Sequence, residues 1–173
     1  EIIDSLRRGT VPHRSLDAFA VGLAGFDAAL EEELAGVERG QGSFKAVRGE
    51  YGSGKTFFAR WLQEKAKKHG FATSEVQISE TETPLHRLET VYRRLVDRLS
   101  TADTPQGAMR RIVDGWFYAL EEDVLAAGQV AEGDEKSLLA QTNEQMENRL
   151  REITRNAPSL AAALRAYRTA IVE

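Results

Sequence analysis

The residues best suited to chemistry form one short run, Gly49-Glu50-Tyr51-Gly52-Ser53-Gly54-Lys55-Thr56. This run fits the pattern G-x-x-x-x-G-K-[ST] of the phosphate-binding P-loop, or Walker A motif, without a mismatch. The glycines allow successive backbone N–H groups to converge on a phosphate without Cβ atoms in the way. Lys55 is expected to reach the β- and γ-phosphates, and the Thr56 hydroxyl to complete the coordination of Mg²⁺. The run therefore predicts binding of a nucleoside triphosphate with Mg²⁺.

The sequence around this run predicts a strand before it and a helix after it, which is the context that the motif requires. Residues 43–48 have the apolar pattern of a short strand, and residues 71–79 alternate as a second strand. Between them, apolar residues recur at helical spacing as far as a cationic last turn and Gly70, which are typical of a helix end. The order strand, loop, helix, strand is a βαβ unit. The predicted fold class is therefore α/β, as in P-loop NTPases.

The remainder of the chain has the apolar spacing of helices. Two helices are expected to start at Thr83-Pro84 and Thr104-Pro105, where a capping residue precedes a proline suited to the first helical position. Further helices are predicted over 2–8, 15–39, 135–155 and 158–172, with a loop over 126–134. The second half of the chain is thus expected to be rich in helix.

Composition excludes several classes of function. The chain has 173 residues, 23 Lys and Arg against 27 Asp and Glu, a net charge of −4 and no cysteine. Disulfides, thiolate metal sites and cysteine nucleophiles are therefore excluded. No stretch approaches the ~20 consecutive apolar residues that cross a bilayer, so a cytoplasmic protein without a membrane partner is expected. The acidic balance leaves DNA binding open but gives it no support.

Other candidate residues are weaker. Glu80 and Glu82 follow the second predicted strand, where a catalytic or Mg²⁺-linked acid could lie, but solvated loop acids are the favoured interpretation. Residues 116–123 resemble a hydrophobic strand that ends in acids, as a Walker B element does, yet their helical spacing favours an amphipathic helix. Neither a metal site nor an arginine finger is expected from the remaining sets, His13, His69 and His86, Arg93-Arg94, and Arg110-Arg111.

Three segments together resemble the BREX-system ATP-binding proteins (BrxD-like), which are AAA+/ORC-like P-loop ATPases of bacterial phage-defence clusters. The segments are Leu6-Arg7-Arg8-Gly9-Thr10-Val11-Pro12, then Val47-Arg48 with the Walker A run and Phe57-Phe58, then Pro84-Leu85-His86-Arg87-Leu88 and Val91-Tyr92. The resemblance covers about residues 2–100. It implies an ATPase that binds ATP through residues 49–56 and Phe57, with Val11 and Pro12 near the adenine. It also implies other defence proteins as partners, and it leaves DNA and a homo-oligomer open.

The chain departs from this family pattern in its catalytic acids. It has no convincing Walker B strand ending in Asp-Glu, no sensor strand and no arginine finger, so no general base can be named. The resemblance implies that these elements follow Glu173. Residues 1–82 are then the N-terminal part of a P-loop ATPase domain, and residues 83–173 a helical insertion in the same domain. The expected fold is an incomplete AAA+-like α/β domain with a helix-rich second half.

The predicted function is that of an ATP-binding, AAA+-like subunit that couples ATP binding and hydrolysis to the assembly or action of a phage-defence complex. Lys55 is the one catalytic residue predicted, and hydrolysis is expected of the full-length protein. Two alternatives stay open. One is a small-molecule P-loop kinase, in which Glu80 or Glu82 holds the acceptor hydroxyl. The other is a non-hydrolysing nucleotide sensor whose helices over 84–173 dock a partner. Because a P-loop reads phosphates, the choice of ATP over GTP rests on the resemblance alone.

Overall fold

Helices account for most of the described part of the chain. The computed structural model describes residues 2–12, 15–128, 130–131 and 133–172. In chain order the helices are α1 (Ile2–Arg7), a 3₁₀ helix (Leu16–Phe19), α2 (Ala24–Glu38), α3 (Lys55–Lys68), α4 (Leu88–Asp97), α5 (Met109–Ala126), α6 (Glu135–Asn156) and α7 (Pro158–Val172). None of these described helices combines the length and the apolar character needed to span a membrane.

The predicted α/β class is wrong, because the described residues form no β-strand. Residues 43–48 have no regular backbone pairing, and residues 71–79 make isolated antiparallel bridges alone, at Thr73 with Ser100 and at Ser79 with Thr83. A strand exists only where a neighbouring strand accepts and donates its backbone hydrogen bonds. No described segment pairs in this way with either stretch, and Phe44 is 91% exposed. The two segments have the apolar alternation of strands, but they do not form the sheet that a P-loop NTPase core needs.

The helix predictions are confirmed at the two chain ends and around the glycine-rich run. Residues 116–123 lie inside α5, so the amphipathic-helix interpretation of this segment is confirmed. The helix predicted over 15–39 is divided into the 3₁₀ helix and α2. Gly22 lies in this break with φ +80°, a left-handed conformation that ends a helical turn.

Two helices begin later than their sequence predicts. The structure begins α4 at Leu88 and α5 at Met109, several residues after the expected threonine caps. Both threonines are used to close turns with earlier residues. The Thr83 carbonyl accepts from the Ser79 N–H at 3.2 Å, and the Thr104 carbonyl accepts from the Thr101 N–H at 2.8 Å. A backbone committed to such a turn is not free to begin a helix.

The chain divides into two compact units, Glu1–Ala108 and Met109–Glu173. The first unit contains the glycine-rich run and a core built on Leu16, Leu30 and Trp61. Trp61 belongs to α3, Leu16 to the 3₁₀ helix and Leu30 to α2. This core therefore anchors α3, whose first residue is Lys55, on the two helical elements that precede it in sequence.

The second unit is a bundle in which α6 packs against both α5 and α7. Its core consists of Phe117 and Leu120 from α5 with Met146 and Leu150 from α6. Arg168 on α7 is also buried, and its guanidinium lies 5.2 Å from the ring centre of Phe117. The apolar stripes that predicted these helices thus face one another.

Candidate functional site

Residues 49–54 form a tight loop that leads directly into α3. Gly52 and Gly54 have φ values of +82° and +86°, in the left-handed region that glycine adopts without strain. A Cβ atom on Gly49 would lie 2.5 Å from Ser53 Oγ, so a larger residue there would displace the serine. The backbone conformation of the loop therefore favours glycine at positions 52 and 54, and the close approach of Ser53 favours it at position 49.

The start of α3 is suited to an anion. Its N-cap residue is Gly54, which has no side chain to cap the first N–H groups of the helix, and the first turn contains no acidic residue. The N–H groups at a helix start lack intrahelical acceptors and bear the positive end of the helix dipole. Such an end binds phosphate or carboxylate groups readily.

The Lys55 ammonium lies across the mouth of the loop. Its Nζ donates to the Gly49 carbonyl at 2.8 Å and to the Glu50 carbonyl at 2.6 Å. An ammonium group has three N–H donors, so one remains for a phosphate oxygen beside these two bonds. The side chain is thereby held against the loop that precedes α3.

A cavity of about 940 Å³ opens beside this loop. Its charged lining residues are Lys45, Arg48 and Lys55, and no acidic residue of the described chain lines it. Most of its other lining residues are apolar, among them Val11, Pro12, Val21, Leu23, Phe26, Leu30, Phe57, Phe58 and Leu62. Cationic and apolar lining residues in one cavity suit a ligand that has both phosphate groups and a flat ring.

The cavity brings together residues that the sequence analysis singled out from distant positions. Those that line it are Val11, Pro12, Gly49, Ser53, Gly54, Lys55 and Phe57. The other four, Glu50, Tyr51, Gly52 and Thr56, do not line it. Glu50, Tyr51 and Gly52 lie in the loop itself, and the Tyr51 side chain is fully exposed.

The residues present can hold Mg²⁺ only together with a phosphate ligand. Thr56 lies in the first turn of α3 with an exposed side chain, where its hydroxyl can offer one oxygen. Among the described residues no cluster of three or more His, Cys, Asp or Glu side chains could hold a metal ion. The other ligands would be phosphate oxygens and water, which is the usual arrangement for Mg²⁺ at a P-loop.

The family model for the BREX system ATP-binding protein BrxC/D matches residues 1–173. The chain belongs to this family. No curated protein and no solved structure matches the chain. The predicted BREX family and its ATP-binding, defence-system character are confirmed by this match, whereas the narrower BrxD-like and AAA+/ORC-like assignments stay predictions.

The weaker acidic candidates of this BrxC/D-family chain are not among the residues that line the cavity. Glu80 and Glu82 do not line it, and a Glu82 carboxylate oxygen lies 3.7 Å from an Arg94 guanidinium nitrogen. Glu122 on α5 accepts a hydrogen bond from the Tyr118 hydroxyl at 3.0 Å, which raises the pKa of Tyr118. These contacts give Glu82 and Glu122 structural partners rather than a ligand to act on.

The other weak candidates also have structural partners. His69 Nε2 lies 2.8 Å from a Glu31 carboxylate oxygen, His86 is exposed, and His13 lies outside the described residues. Arg93 pairs with Glu89 one helical turn away. Arg110 donates to the Tyr167 hydroxyl, and that hydrogen bond raises the pKa of Arg110.

Ion pairs along α3 hold it against the preceding helical elements. Lys65 Nζ lies 2.6 Å from a Glu31 carboxylate oxygen and 3.0 Å from one of Asp27. The hydrogen bond to Glu31, followed by the one to Asp27, raises the pKa of Lys65. Farther along, Lys68 pairs with Asp17, and the pKa of Asp17 is lowered by hydrogen bonds from Lys68 and then Trp61. These ion pairs hold α3 against α2 and the 3₁₀ helix, and so help to fix the position of its first turn.

Two α3 residues that no sequence motif singles out hold the N-terminal segment. Arg60 donates to the Val11 carbonyl at 2.8 Å, and the Glu64 carboxylate accepts from the N–H groups of Ser15 and Leu16 at 3.1 and 2.9 Å. These partners are 48 or 49 positions apart in sequence. No local spacing links them, so no signal in a single sequence could have paired them.

Proposed function

We propose that this BrxC/D-family chain binds ATP with Mg²⁺ in the cavity beside residues 49–54. The carrying observation is that one cavity beside the loop is lined by cationic and by apolar residues. Its charged lining residues, Lys45, Arg48 and Lys55, are all cations, and Val11, Pro12 and Phe57 are among its apolar lining residues. The phosphates would lie at the start of α3 and the adenine against these apolar residues.

Each residue of the loop has a defined task in this proposal. Gly52 and Gly54 allow the backbone to turn its N–H groups toward the phosphates. Lys55 neutralises the β- and γ-phosphates and stabilises the charge that develops when the terminal phosphate is transferred. Thr56 supplies one oxygen to Mg²⁺, which bridges phosphate oxygens and lowers the charge repulsion between them.

We further propose that ATP binding and hydrolysis drive the assembly or action of a phage-defence complex, in the role that AAA+-like ATPases have. The proposal does not require the β-sheet of such ATPases, which the described residues do not form. No described residue stands beside the cavity as a general base, so hydrolysis requires groups that other parts of the complex supply. Residues 1–82 would serve as the ATPase part and residues 83–173 as a helical insertion, in a cytoplasmic protein. The kinase alternative gains no support, because Glu80 and Glu82 do not line the cavity.

Titration with a fluorescent ATP analogue and Mg²⁺ tests the proposal. Lys55→Ala should weaken binding at least about tenfold, because a hydrogen bond to a charged group contributes roughly 1.5–3 kcal/mol. The control is Lys136→Ala on α6, which removes an exposed lysine that does not line the cavity. The control should bind as the wild type does.

Equal affinity of the wild type and Lys55→Ala, or no binding by folded wild type, would overturn the proposal. Phosphate release measured in the same samples distinguishes two versions of it. Release that depends on Lys55 indicates an ATPase, and binding without release indicates a nucleotide sensor or an enzyme that needs a partner.

A further inference from the structure

We propose that Arg60 is a positioning residue for the nucleotide. It holds the side of the cavity formed by Val11 and Pro12, where the base would lie, and it makes none of its described hydrogen bonds to the phosphate loop. The inference rests on the proposed function, since it concerns the same cavity. Arg60 is expected to strengthen binding of the adenosine group of ATP and to leave binding of the phosphates unchanged.

The contacts of Arg60 fix its guanidinium in one orientation. Nε and Nη2 donate to the two carboxylate oxygens of Glu75, at 3.2 and 3.4 Å, and Nη1 donates to the Val11 carbonyl at 2.8 Å. The side chain of Arg60 is 20% exposed and that of Glu75 is 41% exposed. Because a guanidinium is planar, its two bonds to Glu75 determine where the third N–H group points. That group points at Val11.

The Val11 carbonyl is the one backbone hydrogen-bonding group by which the Val11-Pro12 peptide can be held. Proline has no N–H donor, so the bond between these residues offers only an acceptor. Pro12 is buried, whereas Val11 is half-buried at the cavity. Arg60 thus provides the hydrogen bond that sets the rotation of this peptide, and with it the position of these two apolar residues.

Arg60 is also well placed to act independently of the phosphate loop. It lies on α3 five residues after Lys55, a separation of about 7.5 Å along the helix axis. Lys55 makes its own bonds to Gly49 and Glu50, and these do not involve Arg60. Removal of the guanidinium should therefore release Val11 and Pro12 while leaving the loop and the start of α3 in place.

Comparison of ATP with inorganic tripolyphosphate tests this separation. Calorimetric titrations would measure both ligands on the full 173-residue chain, on Arg60→Met, and on Arg60→Lys, which keeps the charge but loses the planar guanidinium. We expect Arg60→Met and Arg60→Lys to bind ATP about tenfold more weakly, because Val11 and Pro12 must then be ordered when ATP binds, and this ordering costs binding free energy. Tripolyphosphate affinity should change by less than about twofold, because no base is present for the Val11 side to contact.

Two further variants complete the test. Glu75→Gln weakens the hydrogen bonds that orient the Arg60 guanidinium. It should lower the affinity for ATP and not that for tripolyphosphate, and it keeps the test available if Arg60→Met does not fold. Arg93→Met removes an arginine from another ion pair, with Glu89, whose residues do not line the cavity, and should leave both affinities unchanged.

The outcomes separate this inference from the proposed function. Equal losses for ATP and tripolyphosphate, or no loss for either, would overturn the role of Arg60 and leave the nucleotide site intact. Failure of the folded wild type to bind either ligand would overturn the proposed function, and the inference with it.

Discussion

At the residue scale, two glycines at opposite ends of α3 have nearly the same backbone geometry but different surroundings. Gly54, before the helix, has φ +86° and lines the cavity. Gly70, after the helix, has φ +81° and does not line it. At each position an added Cβ atom would meet no other atom within 4 Å, so the cost of a side chain comes from the backbone conformation. A comparison of substitutions at Gly54 and Gly70 can therefore distinguish the effect of backbone strain from the effect of contact with a ligand.

We expect Gly54→Ala and Gly70→Ala to lower the free energy of unfolding by similar amounts, about 1 kcal/mol each, because alanine is strained at positive φ. Only Gly54→Ala should also weaken binding of the ATP analogue. Urea unfolding followed by circular dichroism gives the first quantity, and the fluorescence titration gives the second. A loss of affinity in Gly70→Ala as large as that in Gly54→Ala would mean that α3 strain, not the loop path, limits binding.

At the element scale, the helices are held mainly by apolar faces that meet. The contrast is clear in the second unit, where Leu150 on α6 is fully buried beside Phe117 and Leu120, whereas Leu125 on α5 is 51% exposed. Free energy gained by burial grows with the apolar area removed from water, and a truncated core side chain also leaves a cavity. The two leucines should therefore respond very differently to the same substitution.

Leu150→Ala should lower the free energy of unfolding by about 2–5 kcal/mol, as large-to-small substitutions in a packed core do. Leu125→Ala is the matched control and should cost less than about 1 kcal/mol, since half of its surface is already in water. Chemical unfolding of both variants measures the difference. Equal destabilisation by the two would contradict the packing of α5 against α6.

At the scale of the whole molecule, acidic side chains in both units have lowered pKa values. Asp17 is stabilised as a carboxylate by hydrogen bonds from Lys68 and Trp61, and Glu147 by those from Arg165. A folded-state pKa below the unfolded value of 3.8 for Asp or 4.5 for Glu means that the unfolded chain binds more protons in that pH range. The contribution to stability is complete above these unfolded values and is lost as pH falls through the lowered ones.

We therefore expect the free energy of unfolding to fall when the pH is lowered from 5 to about 3, and Asp17→Asn and Glu147→Gln each to reduce this dependence. Urea unfolding at several pH values measures the slope. Glu152→Gln is the control, because Glu152 is an exposed acid on the same helix as Glu147. A wild-type stability that is constant between pH 5 and 3 would contradict the ion-pair assignments.

The sequence by itself determined the features that depend on local residue types. The glycines and Lys55 of residues 49–56 follow a fixed spacing, and the apolar stripes of α5, α6 and α7 follow the helical period, so both could be predicted from a single sequence. The three segments that resemble BREX ATP-binding proteins also predicted the family that the match over residues 1–173 shows.

Only the tertiary structure decided what depends on contacts between distant segments. Residues 43–48 and 71–79 alternate as strands do, but strand formation requires a partner that pairs with the backbone, and the described chain provides none. The cavity that Val11 and Pro12 share with the glycine-rich loop, and the hydrogen bond from Arg60 to Val11, likewise involve residues about 40 to 50 positions apart. Local propensity has no information about such pairs, because their free energy comes from packing and hydrogen bonds that exist only after the chain has folded.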